Sequence, residues 1–238
     1  MKKLFWNLGA ALTAAMLGGA TALAYESAAV SDGGSITVTV KYKGTPPTPK
    51  KLEVTKDKEV CAKSPKTDPS LIVSGDNLVN AVVYISDIKK GKKMAPTKVT
   101  LDQKECEYRP HVLAFPAGST VEILNPDGIL HNVHSYSQKN PPFNMAQPKF
   151  KKTLTVKIDK PEAVNVKCDV HGWMSGWLFA AENPYFGVTD NSGVVKLTDV
   201  PPGNYTVEVW HETLGKQSQK VTVKAKEDAK VNIEMAKK

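Results

Sequence analysis

After its first two dozen positions, the 238-residue chain contains no stretch approaching the ~20 consecutive apolar residues a spanning helix requires, so no membrane span is expected beyond them. Long 3.6-residue periodicity is also missing, which excludes a helical bundle. There is no Cys-x-x-Cys-His motif to attach a haem. Paired His-x-His segments, which a trinuclear metal cluster would need, are absent too. So are the Gly-x-Ser-x-Gly, His-Glu-x-x-His and P-loop patterns of common hydrolases and nucleotide-binding enzymes. No basic helix interleaved with aromatics is present, which argues against a nucleic-acid partner.

What is present begins with an address. Lys2 and Lys3 precede a small, apolar run from Leu8 to Leu23 that ends at Ala22-Leu23-Ala24, the pattern of a signal peptide over 1–24 with cleavage before Tyr25; a retained membrane anchor is the alternative, disfavoured by the shortness of the run and by Gly9, Gly18 and Gly19. The expected location is therefore periplasmic or secreted. The formal net charge of +8 falls to +6 once Lys2 and Lys3 leave with the leader. A cluster at Lys89, Lys90, Lys92 and Lys93 reads as a solvated loop, with a docking patch for an acidic partner as the alternative.

In the body, apolar side chains recur two apart: Ile36, Val38, Val40 and Tyr42; Leu154, Val156 and Ile158; Val164, Val166 and Cys168; Tyr205, Val207 and Val209. Turn signals such as Asp127-Gly128, Asn191-Ser192-Gly193 and Pro201-Pro202-Gly203 lie between strand-like runs. The predicted class is all-β, one or two sandwiches. The last segment contains "VTDNSGVVKLTDVPPGNYTVEVWHE" (Val188 to Glu212), which resembles the second half of the transthyretin-like sandwich of carboxypeptidase regulatory-type domains. "GSITVTVKYKG" (Gly34 to Gly44) and "NAVVYIS" (Asn80 to Ser86) resemble that family's opening strands. The resemblance implies an accessory sandwich built from 25–98 and 183–238, split by an insertion at 99–182. Two tandem domains, or one elaborated sandwich, are the alternatives.

The chemistry concentrates in the middle segment. Cys168 sits in "VKCDVHGWM", where Cys168, His171 and Met174 recur at three-residue intervals, and His131 in "ILHNVHS" supplies a fourth donor. A thiolate, two imidazoles and a thioether suit copper cycling between two oxidation states, whereas zinc seldom takes a thioether. These segments, with "YRPHVLAFPAGSTVEILNPD" (Tyr108 to Asp127) upstream, resemble the amicyanin–plastocyanin branch of the cupredoxins. The resemblance covers about Val99 to Ala181 and implies a Greek-key β-sandwich holding one type 1 copper ion. His131, Cys168 and His171 would be equatorial ligands and Met174 the long axial one. Leu130 and Gly172 depart from the family, which has proline before the first His and after the second. Asn132 is a candidate brace for the ligand strand.

Strand alternation turns His134 away from His131, outside the ligand set. His111 reads as structural or supporting, and His211 as part of the flanking sandwich. Cys168 on the inward face would be shielded, while the loop would keep His171 near the surface. There Trp173 and Trp177 would flank it as an apolar docking patch, Trp177 being equally readable as core. Cys61 and Cys106, outside the metal loop of an exported protein, form a disulfide in the simplest reading, with two free thiols as the alternative. Four protein donors leave no open coordination position, so the expectation is a non-enzymatic carrier passing one electron between redox protein partners. Its rivals are a copper storage or delivery protein, and a secreted β-sandwich binding module with a structural metal.

Overall fold

The computed structural model describes residues 25–237, so the expected signal peptide lies outside the described residues. The chain is all-β: its only helix among the described residues is the single turn Lys58–Cys61. No helix is long and apolar enough to cross a membrane among these residues.

Four large sheets stack as two sandwiches. In the first, a sheet ordered Glu107–Arg109, Lys98–Lys104, Ser119–Leu124 and Thr153–Ile158 faces a second sheet. The facing sheet is ordered Val112–Pro116, Ser175–Ala181, Glu162–Lys167, His131–Tyr136 and Asn144–Gln147. One parallel pairing occurs in each, Lys98–Lys104 with Ser119–Leu124 and Val112–Pro116 with Ser175–Ala181, so the chain crosses between sheets rather than meandering. Inward positions two apart fill the core between them: Val121 and Ile123, Val164 and Val166, then Leu178 and Ala180.

The second sandwich is made from both ends of the chain. Gly34–Tyr42 pairs antiparallel with Val194–Val200 and parallel with Asp228–Met235. Val82–Ile85 pairs with Phe186–Val188 and with Gly203–His211, which forms a hairpin with Gly215–Val223. Ile36, Val38 and Val40 point into this core with Val83, Ile85, Val207 and Val209. Gly193 closes the turn before Val194–Val200 at φ +67°, and a Cβ there would stand 2.8 Å from the Val40 carbonyl oxygen, so only glycine fits.

The two sandwiches meet through a third apolar cluster, in which Val82, Val112, Phe179 and Ala181 are buried. Trp177 and Trp210 meet edge to face with centroids 5.0 Å apart, and Trp210 lies 5.8 Å from Phe179. A carboxylate fastens this seam. Glu212, at the end of the Gly203–His211 strand, accepts the Trp177 indole N–H at 2.8 Å and pairs with His111 Nε2. Trp177 therefore packs between sandwiches, the core one of its two readings, and not beside His171 in a docking patch: β-strand alternation puts it on the face opposite Leu178 and toward Trp210.

Residues before Val99 do not all belong with the second sandwich. Val54, Val60 and Cys61 pack into the core of the first, where Cys61 is bonded to Cys106. The excursion between the opening strands thus crosses over and is stapled there.

Candidate metal centre

The strand His131–Tyr136 and the loop leaving Glu162–Lys167 lie side by side, His134 opposite Lys167 and Ser135 opposite Val166. This pairing brings together residues 40 apart in the chain: His131 Nδ1 stands 3.0 Å from His171 Nδ1, and Cys168 Sγ 3.7 Å from the same nitrogen. Donor atoms of His131, Cys168 and His171 all lie within 4.8 Å of one another. The loop is closed by its own backbone: the Met174 N–H donates to the His171 carbonyl at 2.9 Å, and the Cys168 N–H to the Met174 carbonyl at 3.3 Å. Met174 is buried in the same core as Cys168.

The far side of each imidazole is held by a carboxylate. His131 Nε2 donates to Asp127 at 2.9 Å and His171 Nε2 to Asp57 at 2.8 Å. With each Nε2 turned to a carboxylate, the two Nδ1 atoms face one another across 3.0 Å beside the Cys168 sulfur. Two imidazole nitrogens and a sulfur converging in this way fit a single metal ion, with each ring oriented from behind by a carboxylate.

Asp127 is itself prepared for this. It accepts the backbone N–H groups of Glu105 and Cys106 at 2.7 and 2.8 Å, from two successive residues held at φ 55° and 57°. Burial alone would raise its carboxyl, but the His131 ring and these two N–H groups hold it below the usual range. The Cys168 thiol is balanced the same way. Burial opposes ionisation, yet the adjoining His131 and His171 rings and the backbone N–H groups bring it down to about 6. For His131, burial opposes protonation, but Asp127 and the Cys168 sulfur prevail and raise its pKa. A preformed thiolate beside an imidazole is ready to bind a cation.

Asn132 braces strand and loop. Its Oδ1 accepts the Asp169 N–H at 2.6 Å, and its Nδ2 donates to Asn144 and Asp169. Tyr108 donates to the Asn132 carbonyl at 2.8 Å from a buried position. His134 turns away, pairs with Asp169 and stacks on Tyr136 at 4.6 Å. His111 bonds the Ser175 carbonyl and Glu212. His211 is buried in the second sandwich.

One expectation is overturned. His171 is not near the surface but 0% exposed. The segment carrying Asp57 and Cys61 reaches over from outside the middle segment and covers it, so the ring meets a carboxylate where solvent was expected. Trp173 does lie against it, 5.2 Å away and half-buried, its Nε1 donating to the Cys106 carbonyl. Sequence reasoning did not find Asp57 or assign Asp127 a role. Asp127 precedes His131 by four positions, a spacing that could have flagged it; Asp57, 114 residues from His171, carried no such signal.

No protein-family model matches the chain, and no curated protein matches it in sequence. Solved structures do. A copper-containing nitrite reductase from Thermus scotoductus SA-01 matches at 24% identity and TM-score 0.34 over 39% of this chain and 24% of its own, so the match spans about a quarter of that enzyme. A purple cupredoxin from Nitrosopumilus maritimus matches at 19% identity and TM-score 0.31, over 35% of this chain and 99% of its own. Amicyanin from Paracoccus versutus matches at 18% identity and TM-score 0.32, over 35% and 81%.

Proposed function

We propose that this chain is an exported type 1 copper protein that carries single electrons between redox protein partners. His131 Nδ1, His171 Nδ1 and the Cys168 thiolate would hold the ion, with the Met174 thioether as the fourth donor. The observation that carries the reading is the convergence of His131 Nδ1, His171 Nδ1 and the Cys168 sulfur, with both Nε2 atoms turned to carboxylates. Copper, when bound, supplies the one-electron chemistry, and the donor set of imidazole, thiolate and thioether suits both of its oxidation states.

The chain's own residues do the rest. Asp127 and Asp57 fix the ring orientations, Asn132 ties the ligand strand to the ligand loop, and the buried setting keeps water from the thiolate. Little rearrangement is then needed when the charge at the site changes. Enclosure of His171 favours retention of the ion, which supports a carrier over a storage or delivery protein. Trp173, in contact with His171 and half-buried, is the side chain through which an electron would leave. The second sandwich, built from 34–42, 73–85 and 186–235, is an accessory unit in this reading.

Addition of Cu(II) to the mature protein tests the proposal. An intense band near ~600 nm is expected, bleached by reductant and missing in Cys168→Ser. A folded, copper-loaded sample without that band would refute it.

A further inference from the structure

The donors of the metal centre are sealed: His131 and His171 are 0% exposed, Cys168 and Met174 2%. An ion can reach or leave them only if part of the wall moves. Most of that wall is sheet. His131–Tyr136 is paired on one side by Asn144–Gln147 and on the other by Glu162–Lys167, and Ser175–Ala181 lies between Glu162–Lys167 and Val112–Pro116. Moving either strand breaks a ladder of backbone hydrogen bonds.

The stretch 53–65, which brings Asp57 to His171, is held differently. It leaves and returns through a short ladder, Lys51–Leu52 against Lys66–Thr67, that is a separate sheet from those of either sandwich. Its backbone hydrogen bonds run within it, from the N–H groups of Val60 and Cys61 to the Asp57 carbonyl and from that of Ala62 to Lys58. Only Cys61 is buried in this stretch, with Val54 and Val60 half-buried against the first core. The rest of its hold is the Asp57–His171 hydrogen bond at 2.8 Å, a contact of Ser64 with Glu105 at 3.4 Å, and the Cys61–Cys106 bond. Few buried apolar contacts, and no ladder shared with a sandwich among the described residues, mark it as the part of the wall that opens most easily.

We propose that 53–65 is a flap through which the ion enters and leaves the centre, and that the Cys61–Cys106 bridge is the bolt that keeps it shut. Cys61 ends the helical turn that starts directly after Asp57, and Cys106 lies in the turn whose N–H groups are bound by Asp127. The covalent bond therefore pins the flap at the rim of the centre, close to the carboxylate that covers His171. Without it, the flap can swing about its short ladder and carry Asp57 away from the ring. Cys168 Sγ stands 3.7 Å from His171 Nδ1, so uncovering the ring also opens a way to the thiol. The inference rests on the metal-centre reading and adds how that centre is filled and kept filled.

Cys168 is the reporter, because it is the one free cysteine when the other two are bridged. The whole mature chain, free of metal, is treated with iodoacetamide, and the rate of Cys168 alkylation is read by mass spectrometry. Cys61→Ala with Cys106→Ala should raise that rate at least about tenfold, well within what the chain entropy released with the bridge allows. Leu178→Ala loosens the same core with the bridge intact and should raise it less than about threefold, because a local opening does not expose that side chain. Val54→Ser with Val60→Ser weakens the rest of the flap's hold under an intact bridge and should also stay within about threefold. This last variant keeps the proposal testable if the double alanine variant does not fold. Uptake of Cu(II), followed at the visible band, should quicken in the double alanine variant in step with alkylation. An unchanged alkylation rate in that variant, or a rise of about tenfold in either variant that keeps the bridge, overturns the proposal. Alkylation is read without metal, so a missing visible band would sink the carrier reading and leave the flap standing, whereas unchanged alkylation would do the reverse.

Discussion

Replacing both bridged cysteines by alanine removes a cross-link between positions 45 apart, and its cost can be worked from that separation. Chain-entropy arithmetic for such a loop gives roughly 13 cal/mol/K, or about 4 kcal/mol at 25 °C, as the stabilisation lost. With a urea dependence of about 2–3 kcal/mol/M, the unfolding midpoint of the metal-free protein should fall by about 1.5 M. The structure also says where the loss belongs. Cys61 and Cys106 both sit in the core with Leu101, Val121, Val164 and Leu178, not among Ile36, Val38 and Val209. Hydrogen exchange should therefore show weakened protection in Ser119–Leu124 and Glu162–Lys167, with Gly34–Tyr42 and Val194–Val200 little changed. A midpoint shift below about 0.5 M would refute the entropic reasoning. Equal loss of protection in both sandwiches would refute the placement.

Asp57→Asn should leave the fold intact but loosen the hold on His171, and copper should pass to a competing chelator roughly 10–100-fold more readily, measured by loss of the visible band. His211 is buried and its pKa is pushed down to about 4, by burial first and by His111 second; its neutral Nδ1 accepts the Thr213 N–H at 3.2 Å. Since the unfolded chain binds that proton more tightly, the contribution of His211 is complete above about pH 6.5 and is lost as pH falls toward 4, at most about 3.4 kcal/mol. Thermal melts of His211→Gln should show less destabilisation over that window than wild type. Glu162 is pulled down to about 2, against the effect of burial, by the Ser137 hydroxyl, the Gln138 and Lys139 N–H groups and the Asn140 side chain. Glu162→Gln should cost about 1–3 kcal/mol and expose 137–140 to protease, and an uncut loop would argue against this role. Leu178→Ala, at a fully buried position of the first core, should cost about 2–5 kcal/mol in urea unfolding.

Much of the architecture was legible in side-chain alternation. Ile36, Val38 and Val40, or Val164, Val166 and Cys168, can be read as strands because a two-residue period has one inward face whatever the partner strand. Local spacing likewise brought Cys168, His171 and Met174 onto one loop. His171 was misplaced and Trp177 left open for one shared reason: what covers an outward-facing side chain depends on segments far away in the chain. For Trp177 the cover is Trp210 and Glu212, and for His171 it is Asp57 and the disulfide.

The sequence by itself determined the periodic strands, the kinds of donor atom available and the short loop bearing three of them, because these depend on neighbours within a few residues. Only the tertiary structure decided that His131 meets that loop, that Asp57 and Asp127 stand behind the two imidazoles, and that a disulfide closes over them. Those contacts join residues 4 to 114 positions apart, and most form only when strands distant in the chain pair and bury their shared face. A sequence pattern does not carry the position of a partner that far away.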